Sequence, residues 1–84
     1  MAYTADGGTA VIDTAGWENG LYYLVGAADY QKTAFVLDGM VVKNKSKAIF
    51  AAAMHGTITV DGSKITVVSS SYYTRVFAYR VVAL

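Results

Sequence analysis

Residues 57–68 alternate apolar and polar side chains on both sides of Asp61-Gly62. A period of two is what a half-buried β-strand needs, and a helix cannot use it. Asp-Gly between two such runs is the strongest short-range sign of a hairpin. A two-residue loop at Asp61-Gly62 is expected to set Ile58 opposite Ile65 and Val60 opposite Ser63. Ile58, Val60, Ile65 and Val67 then share one face, and Thr57, Thr59, Lys64 and Thr66 the other. A slip of one residue would oppose apolar positions to polar ones.

The rest of the chain is punctuated in the same way. Eight glycines and no proline divide it into short pieces rich in Val, Ile, Thr, Tyr and Phe, the residues that suit a pleated surface. Asp38-Gly39 is expected to be a second hairpin turn joining residues 33–37 to 40–43. That pairing puts Phe35, Leu37, Met40 and Val42 on one face. Asn19-Gly20 is a third turn signal, leading into residues 21–25, and Thr9–Asp13 reads as a short strand. Residues 72–82 form the longest strand, with Tyr73, Arg75, Phe77 and Tyr79 on one face and Thr74, Val76, Ala78 and Arg80 on the other. Residues 46–56 are open to two readings. A strand is favoured, with Val42 and Phe50 flanking a lysine-bearing turn. The alternative is a short helix near 47–55, capped by Ser46 and ended by Gly56. The expected fold is all-β, a single domain over residues 1–84, built as a small antiparallel sandwich or barrel of about six or seven short strands.

Composition bears on what such a domain does. Hydrophobic residues make up 55% of the 84 and charged residues 15%, against roughly 45–50% and about 25% in an average soluble domain. Intrinsic disorder is excluded by that excess. The absence of cysteine excludes a disulfide scaffold, a Cys-based zinc site and thiol chemistry. One histidine excludes a multi-His metal cage, and no cofactor is expected. A chain of about 60 residues buries only roughly 60% of its unfolded surface, and this one is little longer. With no staple for a small core, oligomerisation is one of the few stabilisers left. The final strand is apolar on both sides and calls for cover from a second sheet and from a neighbouring subunit. Tyr73, Arg75, Phe77 and Tyr79 are therefore the candidate interface, and the expected partner is a second copy of the chain or a larger protein assembly.

The net charge of +1 argues against nucleic acid as a partner. No stretch reaches the roughly 18 apolar residues of a membrane-spanning helix, so no membrane partner is expected. The N-terminus lacks a basic region followed by an apolar one. The chain is expected to be complete and made in the cytoplasm without a signal peptide.

Catalytic signals are weak. His55 stands beside a glycine as a boundary residue, with no nucleophile or orienting carboxylate at a recognisable spacing. Asp38 and Asp61 are accounted for by their turns, and the other acids sit singly. Lys43, Lys45 and Lys47 alternate around a turn, where they either touch an anion or blunt an exposed edge. No enzyme is expected. The aromatic residues are more informative, since Trp and Tyr pair an apolar ring with a polar handle that suits interfaces and sugar stacking. Trp17 in the Gly16-to-Gly20 loop, with Tyr22, is the candidate ligand-binding pair for a small carbohydrate module; the alternative is that Trp17 folds back over the core. A barrel that stacks single-stranded nucleic acid on tyrosines is a third possibility.

From His55 onward the chain carries Gly56-Thr57-Ile58-Thr59-Val60-Asp61-Gly62-Ser63-Lys64-Ile65-Thr66-Val67, a Ser-rich step, a Tyr-rich strand and an Arg80-Val81-Val82-Ala83-Leu84 ending. This last third resembles the carboxy-terminal ends of small all-β phage virion proteins of the accessory or tail-associated kind. The resemblance lies in texture and transfers no functional residue. It implies an assembled, non-enzymatic structural protein that leaves the cell inside a virion.

Overall fold

Among the described residues, period-two alternation is realised as eight strands: β1 (Ala2–Asp6), β2 (Thr9–Asp13), β3 (Gly20–Ala28), β4 (Phe35–Asn44), β5 (Lys47–His55), β6 (Thr57–Asp61), β7 (Lys64–Val68) and β8 (Tyr73–Ala83). The computed structural model describes residues 2–6, 8–28, 35–45, 47–69 and 73–84. Neighbours follow the order β5-β4-β3-β8-β1-β2-β7-β6, and every pairing is antiparallel. Among the described residues the ladder is thinnest at β1–β2, which pair at Asp6↔Thr9. There the sheet divides into two layers, β5-β4-β3-β8-β1 and β2-β7-β6. Its two ends meet again at the far side. Gly56 alone links β5 to β6, and the Ala48 amide donates to the Gly62 carbonyl at 3.2 Å. The result is a small sandwich closing towards a barrel, with eight strands where about six or seven were expected.

The core lies between the layers. Leu24, Leu37, Val41, Ile65, Val67 and Val76 are fully buried, and removing each from water contributes about 1.5–3 kcal/mol. Ile58 of β6 reaches across to β4. A Cβ on Gly39 would stand 2.5 Å from Ile58 Cδ1 and 2.6 Å from the Ala52 carbonyl oxygen. Glycine is therefore required at position 39 by close approach and not by a turn.

Two expectations are corrected by this arrangement, and the favoured reading of a third segment is realised. Asp38-Gly39 is not a hairpin: β4 runs straight through it, so Leu37, Val41 and Lys43 face inward and Met40 and Val42 outward. The turn falls instead at Lys45, whose φ is +56°, with Asn44 opposite Lys47. Residues 47–55 are strand, the favoured reading, and not the alternative short helix. The alanines of 51–53 favour a helix locally, but a full ladder to β4 outweighs a propensity of a few tenths of a kcal/mol per residue. That ladder also places Val42 opposite Phe50. Lastly, the β6–β7 loop is Gly62-Ser63, with Val60 opposite Ile65 and Ile58 opposite Val67. Gly62 has φ +62° and Ser63 is not in the positive region, so the turn needs only one positive φ, at its first position, as a type II′ turn does. The pairing moves by two residues, and so the faces are as expected: Ile58, Ile65 and Val67 are inside.

Candidate functional site

Side chains that do not enter the core form two outer faces of opposite character. Outside β2, β7 and β6 stand Thr9, Asp13, Lys64, Thr66, Thr57, Thr59 and Asp61, broken only by Val11 and Val68. Outside β4, β3 and β8 stand Met40 and Val42, then Leu21, Tyr23, Val25 and Ala27, then Phe77, Tyr79 and, past the irregularity at Val81, Val82 opposite Leu21. Asp38 and Arg75 are the charged residues of that second face. Alternation places both sets. Each β3 residue from 21 to 27 with an odd number points away from Leu24, which is fully buried.

The candidate interface residues fall on this apolar face. Phe77 is half-buried, Arg75 is exposed, and Tyr79 is 54% exposed. They alternate with the buried Thr74, Val76 and Ala78. Tyr73 is in register with them as the first residue of β8, and its side chain lies outside the described residues.

Trp17 and Tyr22 are elsewhere. Trp17 is 7% exposed and Tyr22 6%, with ring centroids 4.4 Å apart and planes inclined by 33°. Tyr22 Oη donates to the Glu18 carbonyl at 2.7 Å, and the Trp17 amide donates to the Thr14 carbonyl at 2.9 Å. The pair caps one end of the core, because burying two large rings outweighs presenting them to water. An exposed stacking platform at Trp17 and Tyr22 is thereby corrected to a packed cap.

The three alternating lysines are also separated. Lys45 and Lys47 are exposed at the β4–β5 turn, whereas Lys43 is fully buried. Its Nζ donates to the Thr14 carbonyl at 2.5 Å and to the Thr14 hydroxyl at 3.3 Å. An anion-binding triad is not assembled.

A pairing that sequence spacing did not reveal joins Asp38 to His55. The β4–β5 ladder sets these residues opposite each other, with His55 Nδ1 2.6 Å from Asp38 Oδ1. Against a carboxylate, Nδ1–H is the donor. The His55 side chain is 71% exposed and that of Asp38 only 19%. Val25 lies beside Asp38 on β3, and Tyr23 follows one step along the same face. Together Tyr23, Val25, Asp38 and His55 line an open concavity of about 480 Å³. Among the described residues, no three His, Cys, Asp or Glu side chains gather as a metal-holding group. No family model, curated protein or solved structure matches this chain.

Proposed function

We propose that this is a non-enzymatic structural protein that assembles with copies of itself through the outer face of β3 and β8. The contrast between the two outer faces carries the proposal. One is set with threonines and charges, and the other with Phe77, Tyr79, Val82, Leu21 and Val25. A face left to water has no use for that second set. An interface of standard size takes roughly 800 Å² from each partner, about one sixth of the 4978 Å² that this chain exposes.

Contact through faces is favoured over pairing through edges. The terminal strands β5 and β6 turn towards each other at Gly56. In the β4–β5 ladder, Asp38↔His55 is followed by Gly39↔Ala53, and Val42↔Phe50 by Lys43↔Ala48. The residues passed over, Met54 and Ile49, are bulged, and bulges discourage a further strand from adding to an edge. The resemblance of residues 55–84 to small phage virion proteins accords with an assembled component and adds no residue to the interface.

Light scattering during size exclusion at micromolar concentration tests this. A dimer or larger species is expected, and Tyr79→Glu should return it to the 9.0 kDa protomer with its strand circular dichroism unchanged. A wild-type chain that runs as a lone protomer across that range overturns the proposal.

A further inference from the structure

We propose that the concavity lined by Tyr23, Val25, Asp38 and His55 binds one pyranose unit of a carbohydrate. Three neighbouring strands build it. His55 of β5 stands opposite Asp38 of β4, Asp38 opposite Val25 of β3, and Tyr23 follows on the same face of β3. The volume of about 480 Å³ falls within the range of small-ligand sites.

The hydrogen-bonding groups define the ligand. His55 Nδ1 is committed to Asp38 Oδ1 at 2.6 Å. What the pair then offers is Asp38 Oδ2 and, in the neutral ring, His55 Nε2. Both are acceptors, so the ligand has to bring donors. An anion brings none and is repelled by Asp38. A wholly apolar ligand would cover a carboxylate that is already 81% shielded, since its side chain is 19% exposed, and would leave its second oxygen unpaired, which is costly. An alkylammonium brings donors, but it leaves the Tyr23 and Val25 walls unfilled and meets an imidazole that is itself cationic when protonated. A pyranose meets every requirement. Its adjacent hydroxyls donate to Oδ2 and Nε2, and its C–H face lies against the Tyr23 ring.

This site is separate from Trp17 and Tyr22, but it shares Val25 with the proposed self-assembly face, so a sugar and a second copy of the chain compete for that part of β3. Tyr23 and Val25 stand opposite Tyr79 and Phe77 of β8, whereas Asp38 and His55 on β4 and β5 lie beyond that face.

An amide-resolved NMR titration of the full chain with glucose, galactose, N-acetylglucosamine and their methyl glycosides tests it. At least one pyranose is expected to shift the amides of Tyr23, Asp38 and His55 in a saturable way. Asp38→Ala and His55→Gln should each weaken that binding about tenfold or more, the loss of one hydrogen bond to a charged or oriented group. Val82→Glu, on the assembly face but opposite Leu21 and outside the four lining residues, should leave sugar binding intact or stronger while altering the oligomer, which separates this proposal from the previous one. Amide dispersion reports whether each variant is folded, and the wild-type titration stands without them. If no sugar in the panel perturbs these amides, or if n-butylammonium alone does, the proposal is overturned.

Discussion

Lys43 runs its side chain into the end of the core and donates from Nζ to the Thr14 carbonyl at 2.5 Å, although both residues are fully buried. Thr14 passes the connection on. Its amide donates to the Ser63 carbonyl at 2.9 Å, and its hydroxyl donates to the same oxygen at 2.5 Å. One threonine thus ties β4, the loop after β2 and the β6–β7 turn together, at the end of the molecule where the Trp17–Tyr22 cap also sits. A buried ammonium is an expensive way to make that tie, because desolvation offsets much of what its hydrogen bonds contribute. The four-carbon stem, by contrast, fills space. Lys43→Met keeps the stem and drops the charge, so its stability should lie within about 1 kcal/mol of wild type. Lys43→Ala empties the space and should cost about 2–4 kcal/mol. Urea denaturation of the two variants checks this, and equal losses would mean that the ammonium, not the stem, carries the contribution.

Trp17 is the chain's single tryptophan, which makes the cap directly observable. Its emission should be blue-shifted and poorly quenched by acrylamide in the native protein, and both properties should be lost on unfolding. Trp17→Ala should cost about 3–5 kcal/mol, the usual penalty for truncating a large buried ring. Tyr22→Phe removes only the 2.7 Å bond to the Glu18 carbonyl and should cost about 0.5–1.5 kcal/mol. Native emission that is red-shifted and freely quenched would place the ring in water and refute the cap.

The β fold and the inward faces of β2, β6, β7 and β8 are legible because alternation survives any even shift of register. That is why the 57–68 hairpin keeps Ile58, Ile65 and Val67 inside although its loop lies one residue later than Asp61-Gly62 suggests. Position 38–39 shows the limit. Asp-Gly carries the same local preference there, but at Gly39 the surrounding packing uses glycine for its missing Cβ, and no property of the dipeptide reveals the approach of Ile58. The Asp38–His55 pair is hidden for a related reason. Counting back from Asn44↔Lys47 in uniform register places Ala53 opposite Asp38. Two bulges, at Ile49 and Met54, advance the strand by two and deliver His55 instead. Bulges answer to the curvature of the closed sheet, which is a property of all the strands at once.

His55 offers a way to separate binding from folding. Its side chain is largely exposed, and exposed ion pairs or hydrogen bonds of this kind contribute about 0.2–1 kcal/mol. His55→Ala should therefore change the denaturation midpoint little, even though it removes one of the two acceptors of the concavity. A loss of several kcal/mol would show that the imidazole holds β4 to β5, and its role would then be structural.

Gly39 and Gly62 should respond to different degrees to the same substitution, although each follows an aspartate. Gly62 has φ +62°, and a Cβ there meets nothing within 4 Å. Asparagine tolerates that left-handed conformation better than other side chains do, so Gly62→Asn should cost under about 1 kcal/mol while Gly62→Val costs about 1–2 kcal/mol. At Gly39 the backbone is not left-handed, so conformational tolerance brings no relief. Any side chain meets Ile58 Cδ1 at 2.5 Å and the Ala52 carbonyl oxygen at 2.6 Å. The isoleucine end can swing away, but the carbonyl belongs to the neighbouring strand and moves only with it. Gly39→Ala should cost about 1–3 kcal/mol as an overpacked site, and Gly39→Asn at least as much. Thermal unfolding of the four variants compares them directly. If asparagine proves milder than alanine at position 39, the residue is held there by a turn-like φ and β4 does not run unbroken from Phe35 to Asn44.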